Sequence, residues 1–174
     1  MSSHRIVLNE ETYETVLHDL VMGAERLLWL VTADIKDLHI RQGRRFVPFL
    51  KILAEKISEG VEVRLIHAKE PGPRFRKDFD RFPELIESEL FERVLCPRMH
   101  MKCVIADGRR AYIGSANLTG AGMGAKHRDR RNFEAGVLTD DPVMVGEMMA
   151  FLDAFHLGDH CLKCQLRKVC PDPV

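Results

Sequence analysis

The sequence predicts an α/β domain in which a mixed β-sheet carries helices on both faces. Segments of helical and strand spacing alternate through the first half of the chain, and short β-like segments cluster in the second half. A last segment then returns to helical spacing. With 174 residues, 45% of them hydrophobic and 30% charged, the chain is long enough for one main domain with a sizeable core.

The first helix is expected over Leu8 to Arg26, where Val16, Leu17, Leu20, Val21 and Ala24 line one face and Asn9 or Thr12 can cap it. Leu27 to Ala33 is an apolar run, with Thr32 inside it, and reads as a buried strand. Phe46, Phe49, Leu50, Leu53, Ala54 and Ile57 repeat at helical spacing and stop at Gly60. Val61 to Ala68 alternates apolar and polar residues, which predicts a strand. Pro71-Gly72-Pro73 breaks the chain, and Pro83 to Phe91 reads as a short helix with Leu85, Ile86 and Leu90 inward. From Met99 the texture is β: Met99 to Ala106, Ala111 to Gly114 and Phe133 to Thr139, with Asp107-Gly108 as a hairpin turn. Pro142 opens a final helix to about Phe155. The main domain thus spans residues 1–156, and a cysteine-rich tail follows over 157–174.

Composition narrows the partners. Twenty-six Lys and Arg balance 26 Asp and Glu, so no global positive field draws in nucleic acid or an anionic membrane. Any polyanion must meet local basic patches, at Arg44-Arg45, Arg74 to Lys77, Arg109-Arg110 and Lys126 to Arg131. No apolar run approaches the ~20 residues that cross a bilayer, and no export signal is visible. These features predict a soluble cytoplasmic protein without a membrane partner.

One constellation carries chemistry. His100, Lys102 and Asp107, followed by Gly114-Ser115-Ala116-Asn117, form the spacing H-x-K-x4-D-x6-G-S-x-N. Residues two apart on a strand share a face, so His100 and Lys102 would project together and Cys103 would turn away into the core. The Asp107-Gly108 hairpin would return Ser115 and Asn117 to the same point. An imidazole, an ammonium, a hydroxyl and an amide then converge as a phosphate site. The imidazole can act as nucleophile or proton carrier at neutral pH, while Lys102 and Asn117 hold charge on phosphate oxygens. Gly120 to Gly124 reads as a flexible loop that leads into the basic residues Lys126 to Arg131. Phe75, Phe79 and Phe82, interleaved with Arg74, Arg76, Lys77 and Arg81, are expected to pack on the core rather than to stack bases.

These residues match the HKD motif of the phospholipase D-like superfamily, which the chain resembles more loosely over about residues 10–155. The resemblance implies a metal-independent phosphodiesterase, with one histidine attacking phosphorus to form a phosphohistidine and a second protonating the leaving oxygen. It also implies a supporting role for Asp107. Asn132-Phe133-Glu134 resembles the family's later N-x-E element, whose Glu orients the catalytic histidine, and that role passes to Glu134. The chain holds a single motif, because no other histidine is followed by both Lys and G-S-x-N. A two-histidine mechanism therefore needs a homodimer with its twofold axis through the site. Short single-motif members of the superfamily are typically nucleases, so DNA or RNA is the expected substrate. The alternatives are a phospholipase or phosphatidyl transferase, which needs an apolar membrane-contact element, and a non-catalytic nucleic-acid-binding module, which leaves its polymer intact.

The tail adds a second pattern. Cys161, Cys164 and Cys170 give C-x2-C-x5-C, a spacing that points to metal in a reducing compartment. Zinc would take these three with Cys96, His160 or His156 as fourth ligand. A [4Fe-4S] cluster would take Cys96 as the fourth. With one distant upstream cysteine, the spacing is similar to that of iron-sulfur RecB-like nucleases, over the tail alone. Either group would be structural and outside catalysis.

Overall fold

The computed structural model describes residues 2–36 and 38–173. A seven-stranded mixed sheet has the order β1-β9-β8-β7-β2-β5-β6. Its strands are β1 (His4–Leu8), β2 (Leu27–Thr32), β5 (Glu62–His67), β6 (Phe91–Leu95), β7 (Cys103–Ala106), β8 (Arg110–Gly114) and β9 (Ala135–Thr139). β2, β5 and β6 run parallel, whereas β7, β8, β9 and β1 follow as antiparallel neighbours from β2 outward. A seam between the two halves therefore lies between β2 and β7. The hairpin β3 (His39–Gln42) and β4 (Arg45–Pro48) stands apart as a second, two-stranded sheet.

Helices cover both faces, as expected. On one face the wide, π-type helix Tyr13–Met22 and α1 (Phe49–Ser58) bury Val16, Leu17, Leu20, Ile52 and Leu53 against Leu28, Leu30, Val63 and Leu65. α2 (Pro73–Phe79) and the single turn α3 (Glu84–Glu87) extend that cover. Phe79 is buried and Phe75 and Phe82 pack on the core, so this trio serves packing. On the other face α4 (Pro142–His156) sets Val145 and Leu152 against Trp29, Ile66, Ile105 and Ala111. The Asp141 carboxylate caps α4 by accepting from the Val143 and Met144 amides, both at 3.0 Å.

Four expectations are corrected. The first helix does not start at Leu8. His4–Leu8 is an edge strand on β9, and Asn9, at φ 48°, turns the chain into the helix. Phe46 lies in β4 and is exposed, because Pro48 ends the strand and sits at the N-cap of α1. Residues 88–91 leave the helical path to start β6, so Ile86 and Leu90 are exposed and only Leu85 is buried. The strand expected from Met99 begins at Cys103, because the turn closed by the Met99 amide on the Cys96 carbonyl at 2.9 Å holds the preceding chain out of the ladder. Asp107-Gly108 is the expected tight hairpin, with both residues at positive φ, 56° and 65°.

Candidate active site

Antiparallel pairing places one end of several strands together. The end of β2, the start of β7, the end of β8 and the start of β9 all meet at one edge, since Val31 faces Cys103, Cys103 faces Ile113 and Gly114 faces Gly136. His100 and Lys102 precede β7, Ser115 and Asn117 follow β8, and Glu134 precedes β9. The convergence expected of the motif is thus produced by strand ends. His100 and Lys102 lie in the chain leading to β7 rather than on a shared strand face.

Lys102 Nζ stands 3.5 Å from both ring nitrogens of His100 and donates to the His100 carbonyl at 2.7 Å. The imidazole itself is exposed. Backbone pairing ties this segment to the motif's second half, because the Gly114 amide donates to the Lys102 carbonyl at 3.1 Å. Ser115 Oγ donates to Glu134 Oε2 and accepts from the Ala135 amide at 3.1 Å.

Asn117 is held by β2. Its Oδ1 accepts from the Ala33 and Asp34 amides, at 3.2 and 3.1 Å, and lies 3.2 Å from Thr32 Oγ1. Thr32 is fully buried, and its hydroxyl oxygen also accepts from the Leu118 amide at 3.1 Å. With the oxygen occupied, the Asn117 amide nitrogen is the group left to donate to an anion. Thr32 was not a candidate from the sequence. Its one signal is a hydroxyl inside an otherwise apolar strand.

Glu134 is 9% exposed, with Oε1 accepting from Asn132 Nδ2 at 3.0 Å and Oε2 from Ser115. Asn9 fixes its backbone: Asn9 Oδ1 accepts from the Glu134 amide at 3.1 Å, and the Asn9 amide donates to the Glu134 carbonyl at 2.9 Å. Within the chain its carboxylate therefore orients Ser115 rather than His100. Phe133, between Asn132 and Glu134 in sequence, is 97% exposed.

Asp107 stands at the other end of β7, away from the convergence. Its carboxylate accepts from the amides of Glu25, Arg26 and Leu27, at 3.1, 2.7 and 3.0 Å. Partial burial pushes the carboxyl up, and these three N–H groups outweigh it, so Asp107 lies below the ordinary carboxylate range. The residue holds the β7–β8 hairpin to the start of β2. Arg109-Arg110 shares that far end.

The Gly-rich segment is not a loose loop. Gly122, Met123 and Gly124 are buried. A Cβ on Gly122 would meet the Asn117 carbonyl oxygen at 2.6 Å and its nitrogen at 3.0 Å, so the segment packs directly behind Asn117. The exposed residues from Lys126 to Arg130 come after it, on the path to Glu134.

Cys103 is buried, and burial pushes its thiol up to about 12. Cys96, Cys161, Cys164 and Cys170 line one cavity of about 890 Å³ that also reaches His100. Among the described residues, no three His, Cys, Asp or Glu side chains come close enough to share a single metal ion. His156 Nε2 is paired with Glu92 Oε2 at 2.7 Å, and His156 is not among the residues that line the cavity.

A mixed sheet with helices on both faces and an H-x-K, G-S-x-N site at its edge defines a phosphodiesterase-type α/β domain. The chain belongs to the phospholipase D-like family: residues 19–155 match the model described as "Cardiolipin synthase, PLD-like domain". Solved structures agree on the fold. NucT from Helicobacter pylori superposes with a TM-score of 0.63 at 14% identity, covering 87% of this chain and 93% of that one. Nuc from Salmonella typhimurium, described as a phospholipase D family member, gives 0.63 at 15% identity over 87% and 91%. Phosphatidylserine synthase from Haemophilus influenzae gives 0.57 at 19%, over 88% of this chain and 38% of that one. No curated protein matches the sequence. Among the described residues, no helix is long and apolar enough to cross a membrane.

Proposed function

We propose that the chain is a cytoplasmic, metal-independent nuclease that cleaves DNA or RNA at a site completed by a second copy. The observation that carries this reading is the packing of the Lys102 ammonium against the exposed His100 ring, 3.5 Å from both of its nitrogens, at the edge where Ser115 and Asn117 arrive. In the proposed reaction a His100 nitrogen attacks phosphorus and the bond to the leaving oxygen breaks. The His100 of the second copy donates a proton to that oxygen. It then accepts a proton from water, whose oxygen displaces the phosphohistidine nitrogen and restores both rings. Lys102 and the Asn117 amide nitrogen stabilise charge on the non-bridging oxygens. Glu134 acts as a positioning residue through Ser115, and Asp107 acts through the hairpin.

The exposed Lys126, Arg128 and Arg130 on the path to Glu134, which could meet phosphates, support nucleic acid over lipid as the substrate. Exposed Phe133, beside Glu134, offers an apolar contact at the place where a second copy would complete the site. We read residues 1–156 as the catalytic domain and the cysteines of 157–174, with Cys96, as a separate structural metal site, zinc or iron-sulfur, outside the reaction.

The test is cleavage of labelled single- and double-stranded DNA and RNA in excess EDTA by the native chain and by His100→Ala. Cleavage that survives EDTA and is lost in His100→Ala supports the reading and names the polymer. Failure on all four, with a small synthetic diester also intact, sinks it. A polymer bound with salt-dependent affinity but left whole would favour a binding module, and release of headgroup from phospholipid vesicles would favour the lipid enzyme.

A further inference from the structure

Two stretches of chain far apart in sequence are closed against each other beside the site. The Leu95 amide donates to Asp172 Oδ2 at 2.8 Å, Cys170 Sγ lies 3.9 Å from the Leu95 carbonyl, and Arg98 Nη1 lies 3.5 Å from Cys164 Sγ. The tail is thus folded onto residues 95–98, which lead directly to His100. Tight turns shape both stretches: the Cys164 amide donates to the Cys161 carbonyl at 3.1 Å, and the Met99 amide to Cys96 at 2.9 Å. All four cysteines line the same cavity of about 890 Å³.

A single zinc ion, with bonds of about 2.3 Å, draws four sulfurs to roughly 3.8 Å of one another. Here the four cysteines line one cavity, and among the described residues no three of them come close enough to share one ion. In a cubane cluster each thiolate binds a different iron, so the four donors stand apart around a bulky centre. The cavity's own lining narrows the donor set. His156 is not part of it. His160 packs its ring on Phe151 and Phe155, with centroids 5.5 and 6.1 Å away. Cys103 is buried on the strand beyond. Cys96 is the fourth cysteine on the cavity wall, and Arg98, whose Nη1 lies 3.5 Å from Cys164 Sγ, supplies positive charge beside an anionic thiolate cluster.

We infer that Cys96, Cys161, Cys164 and Cys170 hold a [4Fe-4S] cluster that clamps the tail to the Cys96–His100 segment and so fixes the position of His100. Two ferrous, two ferric and four sulfide ions combine with four thiols, which release four protons and bind as thiolates, around a core of charge 2+. The cluster takes no part in phosphodiester cleavage. Only its effect on cleavage rests on the nuclease reading; its binding stands alone.

The experiment is anaerobic reconstitution of the full chain with iron and sulfide, followed by iron and acid-labile sulfide analysis, visible absorbance and Mössbauer spectroscopy. Zinc is assayed on the same samples. Four iron and four sulfide per chain, with a cubane Mössbauer signature, are expected in the native chain, in Cys103→Ser and in His100→Ala. Cys96→Ser and Cys164→Ser should lose at least half of both. Amide exchange over residues 98–101 should rise in the cluster-free native chain, and its cleavage should fall about tenfold or more. One zinc per chain with no sulfide, or a native chain that takes up no cluster, overturns the inference, as does full loading of Cys96→Ser. Because His100→Ala should load fully yet cleave nothing, failure of the cluster and failure of the nuclease reading give different results.

Discussion

Asp107→Asn separates support of the hairpin from a role in the reaction. Asn tolerates the positive φ of 56° at this position, so the backbone keeps its turn and only the charge is removed. The native carboxylate accepts from the three amides of residues 25–27, at 2.7 to 3.1 Å. A bond to a charged acceptor is worth about 1 kcal/mol more than one to a neutral acceptor, so loss of charge across three costs roughly 3 kcal/mol, or about 2 after discounting for partial exposure. In a chain of this length that lowers the melting temperature by about 4–8 °C. The sign with pH follows from the lowered pKa of Asp107: its contribution is complete above the unfolded value near 3.9 and is lost as pH falls through the folded one. Asp107→Asn should therefore melt early at neutral pH and lose part of the acid limb of the native stability profile. Cleavage measured well below the melting point should stay within about threefold of native, since the carboxylate is remote from His100. Native stability combined with a hundredfold loss of cleavage would refute the reasoning and place Asp107 in the chemistry.

Two further predictions concern groups behind the site. Gly122→Ala forces a methyl against the Asn117 backbone; it should cost about 1–3 kcal/mol of stability and lower kcat about tenfold or more by displacing Asn117. Denaturant melts and steady-state cleavage read the two effects, and native kcat would show that Asn117 is not held in register by this contact. His67 is fully buried, with Nδ1 donating to the Lys69 carbonyl and Nε2 accepting from Arg93 Nε, both at 2.8 Å. Burial first, and the Arg93 charge second, lower its pKa below the ordinary 6.5. The unfolded chain takes up this proton first, so stability is complete above about pH 6.5 and declines as pH falls toward the folded value. Urea midpoints at about pH 7.5 and about pH 5.5 should differ more in the native chain than in His67→Gln; equal differences would remove His67 as the cause.

Which parts could be read without coordinates follows from the range of the interactions. β2, β5, α1 and α4 bury whole faces, so their periodicity shows in the local sequence. β1 buries only Val7 and leaves Ile6 and Leu8 exposed, which hides its period and lets the following helical spacing absorb it. β4 is hidden for a related reason, because Phe46 continues the helical spacing of α1 while lying outside it. At the site, H-x-K and G-S-x-N were legible because each is a local pattern. Thr32, Asn9 and the packing of Gly122 act across folded contacts, two of them more than 80 residues apart in sequence, as the 85-residue separation of Thr32 and Asn117 illustrates. Glu134 was found by its pattern, and its bond to Ser115 became visible only with the strands in place.

The short first strand has a practical meaning. Residues 4–8 zip along β9 from Thr139 to Ala135, and Asn9 then grips the backbone of Glu134. Residues 4–9 are therefore a splint for a carboxylate more than a hundred positions downstream. A protease nick or a deletion within residues 4–9 would disturb the site from behind, without touching any residue of the motif. For anyone producing the chain, the exposed turn at Gly43, away from these strands, is a safer place for a label.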